Sequence, residues 1–288
     1  MNQNSKWYPL LLLNMGMLFS SSSGAFGRYI DLSPPLTIGY RAFIALVLLA
    51  LYGLIQRHRF QFDLKQHGLI VFLSGILMAL HWVLYFYALR WGSVAIGMLS
   101  LFTYPIITVF LEPLFLPVKL QKRHLFLGIL ILFGIYFLVP DFNIQNTSTQ
   151  GLLIGLFSAV SYSLRNIILK KSNAMGNESV QMIYQLAVII ILLLPFHWIY
   201  PNIDIRSQWP YLLILGIFTT AIGHTLFLGS FYHFRISTVS IISSIQPLFG
   251  VLLGIFFLSE IPDLKSMLGG ALILSTVVIE SRSSKPDK

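Results

Sequence analysis

The stretch HWVLYFYALRWGSVAIGMLSLFTYP (residues 81–105) has a second copy later in the chain, HTLFLGSFYHFRISTVSIISSIQP (224–247). Each copy begins with a histidine in one apolar segment and ends with a proline in the next segment. The prolines are 142 residues apart (247 − 105) and the histidines 143 (224 − 81), so one residue is lost between them. We therefore predict a duplicated unit, with one copy over residues 9–140 and the other over 151–281.

Composition identifies the environment of this unit. The chain is 56% hydrophobic and only 10% charged, and its mean hydropathy is +0.78, whereas soluble domains carry roughly 25% charged residues. The apolar residues come in unbroken runs of about 18–24 residues, long enough to cross a bilayer as helices, and they lack the alternation of barrel strands. We predict an all-α membrane protein with ten spans, at about 9–26, 34–55, 68–89, 93–116, 124–140, 151–169, 180–200, 210–232, 236–258 and 265–281.

Loop charge predicts the orientation. Lys and Arg favour the cytoplasmic side of short loops, and with the N-terminus inside, the inner side holds 13 of them and the outer side 4. Both termini are therefore expected in the cytoplasm. The segment after Lys6 resembles a signal peptide, but we interpret it as the first span because it completes a count of five per copy.

An odd number of spans per copy requires the second copy to enter the membrane upside down. Equivalent loops should then carry opposite charge. One loop holds Lys119, Lys122 and Arg123, whereas its counterpart holds Glu260 and Asp263 with a single lysine. The sequence thus predicts two inverted five-helix repeats, an organisation in which paired interruptions of the spans mark the binding site of a transporter.

The prolines mark such interruptions near the middle of the fourth and ninth spans. Pro105 and Pro247 each remove a helical hydrogen bond, and the freed carbonyl needs another partner in hydrocarbon. Tyr104 precedes the first proline, and Ser244 and Gln246 precede the second. We interpret the prolines as helix breaks and these three polar residues as candidates for substrate contact.

The histidines lie at similar depth in the third and eighth spans. His81 shares a helix face with Tyr85, four residues on, and an imidazole forms hydrogen bonds in either protonation state. His81, Tyr85 and His224 are candidates for substrate binding, while a bond across a helix interface is the alternative for each histidine. Arg41, two turns into the second span, could bind an anionic or zwitterionic group, or snorkel to the interface.

Several classes of site and partner are not indicated. The chain has no cysteine, so thiolate metal sites and disulfides are excluded, and no carboxylate shares the depth of the histidines. We predict no metal, no cofactor and no nucleic-acid partner; the pI of 9.8 reflects loop charge. The expected partners are the lipid bilayer and a small-molecule substrate, and the chain is expected to be a monomer or a homodimer.

The chain resembles the EamA-type transporters of the drug/metabolite transporter superfamily over nearly all its length. The resemblance is carried by STVSIISSIQPLFGVLLGIFFLSEIPDLKSMLGGALIL (237–274), with its Ser-rich, polar-Pro, Leu-x-Glu and Gly pattern, and by YRAFIALVLLA (40–50), with Arg41. The first copy departs at Val118, where the second has Glu260. The family implies two inverted halves around a central cavity that opens alternately to each side of the bacterial inner membrane.

Three functions remain open from the sequence. We expect a secondary transporter of small organic metabolites, an exporter of amino acids or related compounds, because no GxxxxGK[ST] loop for ATP is present. An importer or exchanger of nucleotide-like or other anionic metabolites is the alternative. An intramembrane enzyme is the remote one: no HExxH or GxSxG occurs, and the one HxxxxD spacing, at 58–63, lies in a basic loop.

Overall fold

The computed structural model describes residues 4–56, 64–117, 120, 122–138, 143–171, 178–200, 204–230 and 245–283. Ser244, Val118 and the HxxxxD spacing at 58–63 lie outside this part of the chain. Within it, the secondary structure consists of α-helices and one π-helical segment. These elements are α1 (Asn4–Tyr29), α2 (Pro34–Ile55), α3 (Leu64–Trp91), α4 (Val94–Leu101), α5 (Tyr104–Phe115), α6 (Lys122–Leu138), α7 (Thr147–Lys171), α8 (Glu178–Leu193), α9 (Phe196–Ile199), α10 (Ile205–Ile214), the π-helix (Leu215–His224), α11 (Thr225–Ser230), α12 (Gln246–Leu258) and α13 (Leu264–Ser283).

Seven stretches of the described chain are long and apolar enough to cross a bilayer: Leu10–Arg28, Pro34–Ile55, His67–Trp91, Val94–Phe115, Thr147–Leu169, Val180–Ile199 and Ile205–Phe227. They correspond to seven of the ten spans predicted from sequence. The fifth, ninth and tenth spans appear as shorter apolar helices, α6, α12 and the first part of α13. The ninth is short here because the first part of its predicted range, up to residue 244, falls outside the described residues.

The fourth span is divided into two helices. α4 ends at Leu101, and α5 begins at Tyr104 with Pro105 as its second residue. Proline has no amide hydrogen to donate to the carbonyl four residues back, that of Leu101. In the break, the hydroxyl of Thr103 donates to the Ser100 carbonyl at 2.7 Å, which satisfies one carbonyl at the end of α4.

The eighth span contains a feature that the sequence did not predict. Between α10 and α11 the backbone is π-helical over Leu215–His224. The hydroxyls of Thr219 and Thr220 both donate to the Leu215 carbonyl, at 2.6 and 3.3 Å. π-Helical insertions change the direction of the side chains that follow and are frequent at functional sites.

The two parts of the chain, α1–α6 and α7–α13, pack in a reciprocal pattern. α3 lies against α7, and its counterpart, formed by the π-helix and α11, lies against α1. Likewise α4 and α5 contact α7, and their counterpart α12 contacts α1. The remaining helices pair with their own counterparts, α2 with α8 and α6 with α13. Contacts thus recur when the two parts are exchanged, as expected of two copies related by an approximate twofold axis. We call α1–α6 the first half and α7–α13 the second half.

Large apolar side chains cover the outside of the bundle. Phe256 is 80% exposed, Leu114 75% and Ile191 70%, which is the arrangement that a hydrocarbon solvent allows and water does not. Between helices, small residues permit close approach: Gly250 and Gly254 of α12 lie against Met98 and Val94 of α4. This surface and this interior fit a membrane protein.

Candidate functional site

A cavity of about 70 Å³ lies between the two halves. Six of the seven residues predicted to contact substrate line it: Arg41, His81, Tyr85, Tyr104, His224 and Gln246. The seventh, Ser244, lies outside the described residues. The cavity is smaller than the roughly 300–1,000 Å³ typical of ligand pockets, so admission of a metabolite would require the halves to move apart.

Among the described residues that line this cavity, Arg41 is the one with a permanent charge, and it is only 2% exposed. Its Nε donates a hydrogen bond to the hydroxyl of Thr220 on the π-helix, and its guanidinium carbon lies 4.4 Å from the ring centroid of Trp82 and 5.8 Å from that of Phe86. Arg41 therefore does not snorkel to the interface. A guanidinium that stacks on an aromatic ring can still donate hydrogen bonds from its terminal amino groups, because these donors lie in the guanidinium plane.

His81 is held by a residue of the other half. The Ser158 hydroxyl lies 2.8 Å from His81 Nδ1 and donates to the His81 carbonyl at 2.9 Å. The imidazole also stacks on Tyr162, with centroids 4.6 Å apart, and on Tyr85 at 6.4 Å. The sequence left two alternatives for His81, a hydrogen bond across a helix interface or a place at the substrate site. In the structure His81 forms such a bond with Ser158 and also lines the cavity.

His224 enters the cavity from the opposite half. It is the last residue of the π-helix, and its ring centroid lies 5.7 Å from that of Trp82. Trp82 thus contacts both Arg41 and His224. The two histidines of the repeat line one cavity together with this tryptophan.

The residues beside the two prolines close another part of the cavity wall. Tyr104 begins α5 and packs edge-on against Tyr162, with centroids 4.8 Å apart. Gln246 begins α12, where its amide nitrogen lies 2.8 Å from the Met17 sulfur. Pro105 and Pro247 follow them as the second residues of their helices, so each proline fixes the start of a helix whose first side chain lines the cavity.

A second arginine, the half-buried Arg165, lies beside Tyr162. The guanidinium of Arg165 donates to Gln185 Oε1 at 2.8 Å and to Asn166 Oδ1 at 3.0 Å, and its carbon lies 6.0 Å from the Tyr162 ring centroid. Arg165 Nε and Gln185 Nε2 are buried without a hydrogen-bond acceptor in the described structure. Gln185 is the partner that sequence reasoning missed, and its polar side chain within an apolar span was the available signal.

An ion pair joins the halves on the side that loop charge predicts to face outward. Arg28 Nε lies 3.0 Å from Glu260 Oε1, and the second carboxylate oxygen of Glu260 accepts from the Val94 amide at 2.8 Å. Arg28 also donates to the Leu89 carbonyl at the end of α3. We call Arg28, Glu260 and the Val94 amide the outer clamp, because together they bind the ends of α1, α3 and α12 to the start of α4.

The backbone directs Glu260 into this clamp. Ser259 ends α12 in the left-handed conformation, with φ 55°, and the amides of Ser259 and Glu260 donate back to the Ile255 and Gly254 carbonyls. This is the arrangement of a helix C-cap. This cap turns the chain so that the Glu260 carboxylate lies at the N-terminus of α4, which is the positive end of the helix dipole.

Comparisons with known proteins agree with this architecture. The chain is 25% identical over 219 residues to the pseudopaline exporter CntI of Pseudomonas aeruginosa, covering 75% of this chain and 76% of that protein. It is 25% identical to the uncharacterized transporter YwfM of Bacillus subtilis, covering 76% and 75%. A protein of known crystal structure shares the fold, with a TM-score of 0.64 at 18% identity over 97% of this chain and 100% of that one.

The family follows from the two halves together. The profile of the EamA-like transporter family matches the chain twice, over residues 7–139 and 149–281. The resemblance noted from sequence is thereby confirmed, and a transporter rather than an enzyme is indicated. This multi-pass membrane protein belongs to the EamA-like transporter family.

Proposed function

We propose that the protein is a secondary transporter that carries small organic metabolites across the bacterial inner membrane by alternating access. The observation that carries this proposal is the cavity between the halves, which gathers polar and aromatic side chains at the middle of the bundle. In the proposed topology, ten spans form two inverted repeats, 9–140 and 151–281, and both termini lie in the cytoplasm.

Inversion is supported by the connection between the halves. α6 ends at Leu138 and α7 begins at Thr147, and a connection of that length is much shorter than the roughly 17–25 residues of a helix that crosses hydrocarbon. The second half therefore starts on the side where the first one ends. Five spans in the first half then give the second half the opposite orientation, and the reciprocal packing of the halves fits this arrangement.

The outer clamp supports a closed outer side. Arg28 of the first half binds Glu260 of the second, so the outer side cannot open without separating the pair. While the clamp is closed, substrate can reach the cavity only from the cytoplasmic side, and for an exporter we infer that release follows opening of the clamp. The relative named as an exporter has the same direction of transport.

Transport by the purified protein tests the proposal. Proteoliposomes would be offered a panel of labelled amino acids and organic acids, with empty liposomes as the control. We expect uptake of at least one compound that depends on the protein and saturates with concentration. Absence of protein-dependent flux for the entire panel would contradict the proposal.

The alternative is an importer or exchanger of nucleotide-like anions. The two arginines beside the cavity, the buried Arg41 and the half-buried Arg165, favour anions in general. However, Arg165 already donates to Gln185 and Asn166, which leaves Arg41 as the charged group at the cavity. Competition of transport by nucleotides but not by monocarboxylates or amino acids would favour this alternative.

A further inference from the structure

The charges around the cavity are of one sign. Arg41 lines the cavity and Arg165 lies behind Tyr162 in its wall, whereas no Asp or Glu lines it in the described structure. The segment 231–244, outside that structure, contains no Asp or Glu by sequence. Two acidic residues fall within the predicted spans: Glu112 lies at the far end of α5 from Tyr104, and Glu280 lies in the last turn of α13.

Within the described part of the chain, Arg41 donates one hydrogen bond, from its Nε to Thr220. Its terminal amino groups have no hydrogen-bond acceptor among those residues. A buried guanidinium without an anionic partner is costly, and bidentate binding of a carboxylate is the pairing for which its geometry is suited. The stacking on Trp82 and the bond to Thr220 orient the fork before any ligand arrives.

We propose that the transporter recognises its substrate by a carboxylate bound to Arg41, and that it does not recognise an ammonium group. The substrate class is then organic anions with one carboxylate and an apolar body that packs against Trp82, Tyr85 and Tyr104. An ammonium group in the cavity would be desolvated beside Arg41 with no carboxylate to pair with. This inference rests on the proposed transport function and specifies its substrate.

Two matched series of compounds test the charge preference. One is 3-phenylpropionate, L-phenylalanine and phenethylamine, and the other is hexanoate, L-norleucine and pentylamine. Each series keeps one apolar body and varies the charged groups. Binding to the full-length protein in detergent would be followed by intrinsic tryptophan fluorescence, to which Trp82 at the cavity contributes, and by thermal stabilisation.

We expect the carboxylates of at least one series to bind at least as tightly as the zwitterions, and the amines not to bind. Arg41→Met should weaken carboxylate binding about tenfold or more, the loss expected for a charge-assisted pair. Arg41→Lys should keep the preference for anions with lower affinity. Arg206→Met, which removes an exposed arginine at the start of α10, should change nothing.

Three results would overturn the inference: binding of an amine, binding of zwitterions with none of the carboxylates, or carboxylate affinity unchanged in Arg41→Met. Tighter binding of phenyl phosphate than of 3-phenylpropionate would overturn the assignment to carboxylates as well. Because the wild-type series alone measures the preference, the test holds if a variant does not fold. Transport of amino acids without binding of carboxylates would leave the proposed function standing, whereas carboxylate binding without any flux would contradict the function alone.

Discussion

Neutralising Glu260 should open the outer side of the cavity. In Glu260→Gln the side chain keeps its size and can still accept from the Val94 amide, but it loses the charge that binds Arg28. If the outer clamp exists in only one of two conformations, its loss shifts the equilibrium toward the other by the free energy that the clamp contributes.

The structure sets the size of this shift. The side chains of Arg28 and Glu260 are 32% and 23% exposed, so their pairing resembles that of surface ion pairs, worth about 0.2–1 kcal/mol. A carboxylate at a helix N-terminus contributes about 0.3–1 kcal/mol more. Together these give about 0.5–2 kcal/mol, which corresponds to roughly a 2- to 30-fold change in the ratio of the two conformations.

Cysteine labelling measures the shift directly, since the chain contains no cysteine of its own. Ser23 lines the cavity and is buried, so Ser23→Cys should react slowly with a membrane-impermeant maleimide added outside. In Glu260→Gln the labelling rate should rise by the same factor, roughly 2- to 30-fold, and Arg28→Gln should act similarly. Asp204→Asn, which neutralises another carboxylate while preserving a helix cap, should leave the rate unchanged.

The reasoning would be refuted if labelling from outside were equally fast with and without the charge on Glu260, provided that both proteins reach the membrane in equal amounts. Additivity of the two single variants would also count against it, because residues that act as a pair should show coupling in the double variant.

Three further variants test other contacts. Thr220→Val removes the hydroxyl that accepts a hydrogen bond from Arg41, so the KM of transport should rise several-fold. Thr220→Ser keeps the hydroxyl and should retain the wild-type KM. An unchanged KM in Thr220→Val would show that Thr220 does not position the arginine. Ser158→Ala removes the hydroxyl bound to His81 and should lower stability by about 1–3 kcal/mol, seen as a lower Tm, while a Tm equal to wild type would exclude this contribution. Gly269→Leu should lower the Tm by several degrees, because a Cβ there would meet a backbone oxygen of α6 at 2.6 Å; no change would mean that the helices separate at little cost.

The sequence contained enough information to place most of the candidate site. His81 and His224 stand at equivalent positions of the repeat, and Tyr104 and Gln246 directly precede its prolines. Residues at equivalent depth in two packed copies come together at the interface between the copies, and the cavity lies there. The duplicated pattern thus predicted that residues of the two halves meet at one site, which helical periodicity alone does not predict.

Features that depend on contacts between different helices were not predicted. The π-helix has no distinctive residue pattern, because its threonines bond to the backbone of their own turn as they would in an α-helix. The surroundings of Arg165 were not predicted, because its partner Gln185 lies on another helix. Glu260 was noted as a family residue, and its pairing with Arg28, 232 positions away, required the folded chain.

The break between Leu101 and Tyr104 was predicted only in part. A proline inside a predicted span indicated an interruption, and the structure places the break at the residues just before Pro105. The sequence could not show that two separate helices result, because that outcome depends on how Thr103 and its neighbours satisfy the freed carbonyls.

The central claim is that substrate crosses the membrane through the cavity between the halves. Counterflow in proteoliposomes that contain Ser23→Cys tests it most directly. Unlabelled metabolite inside should drive transient accumulation of labelled metabolite, and modification of the cysteine by a bulky maleimide should abolish this accumulation. Counterflow that persists after complete modification, or no counterflow with any compound of the metabolite panel, would contradict the account.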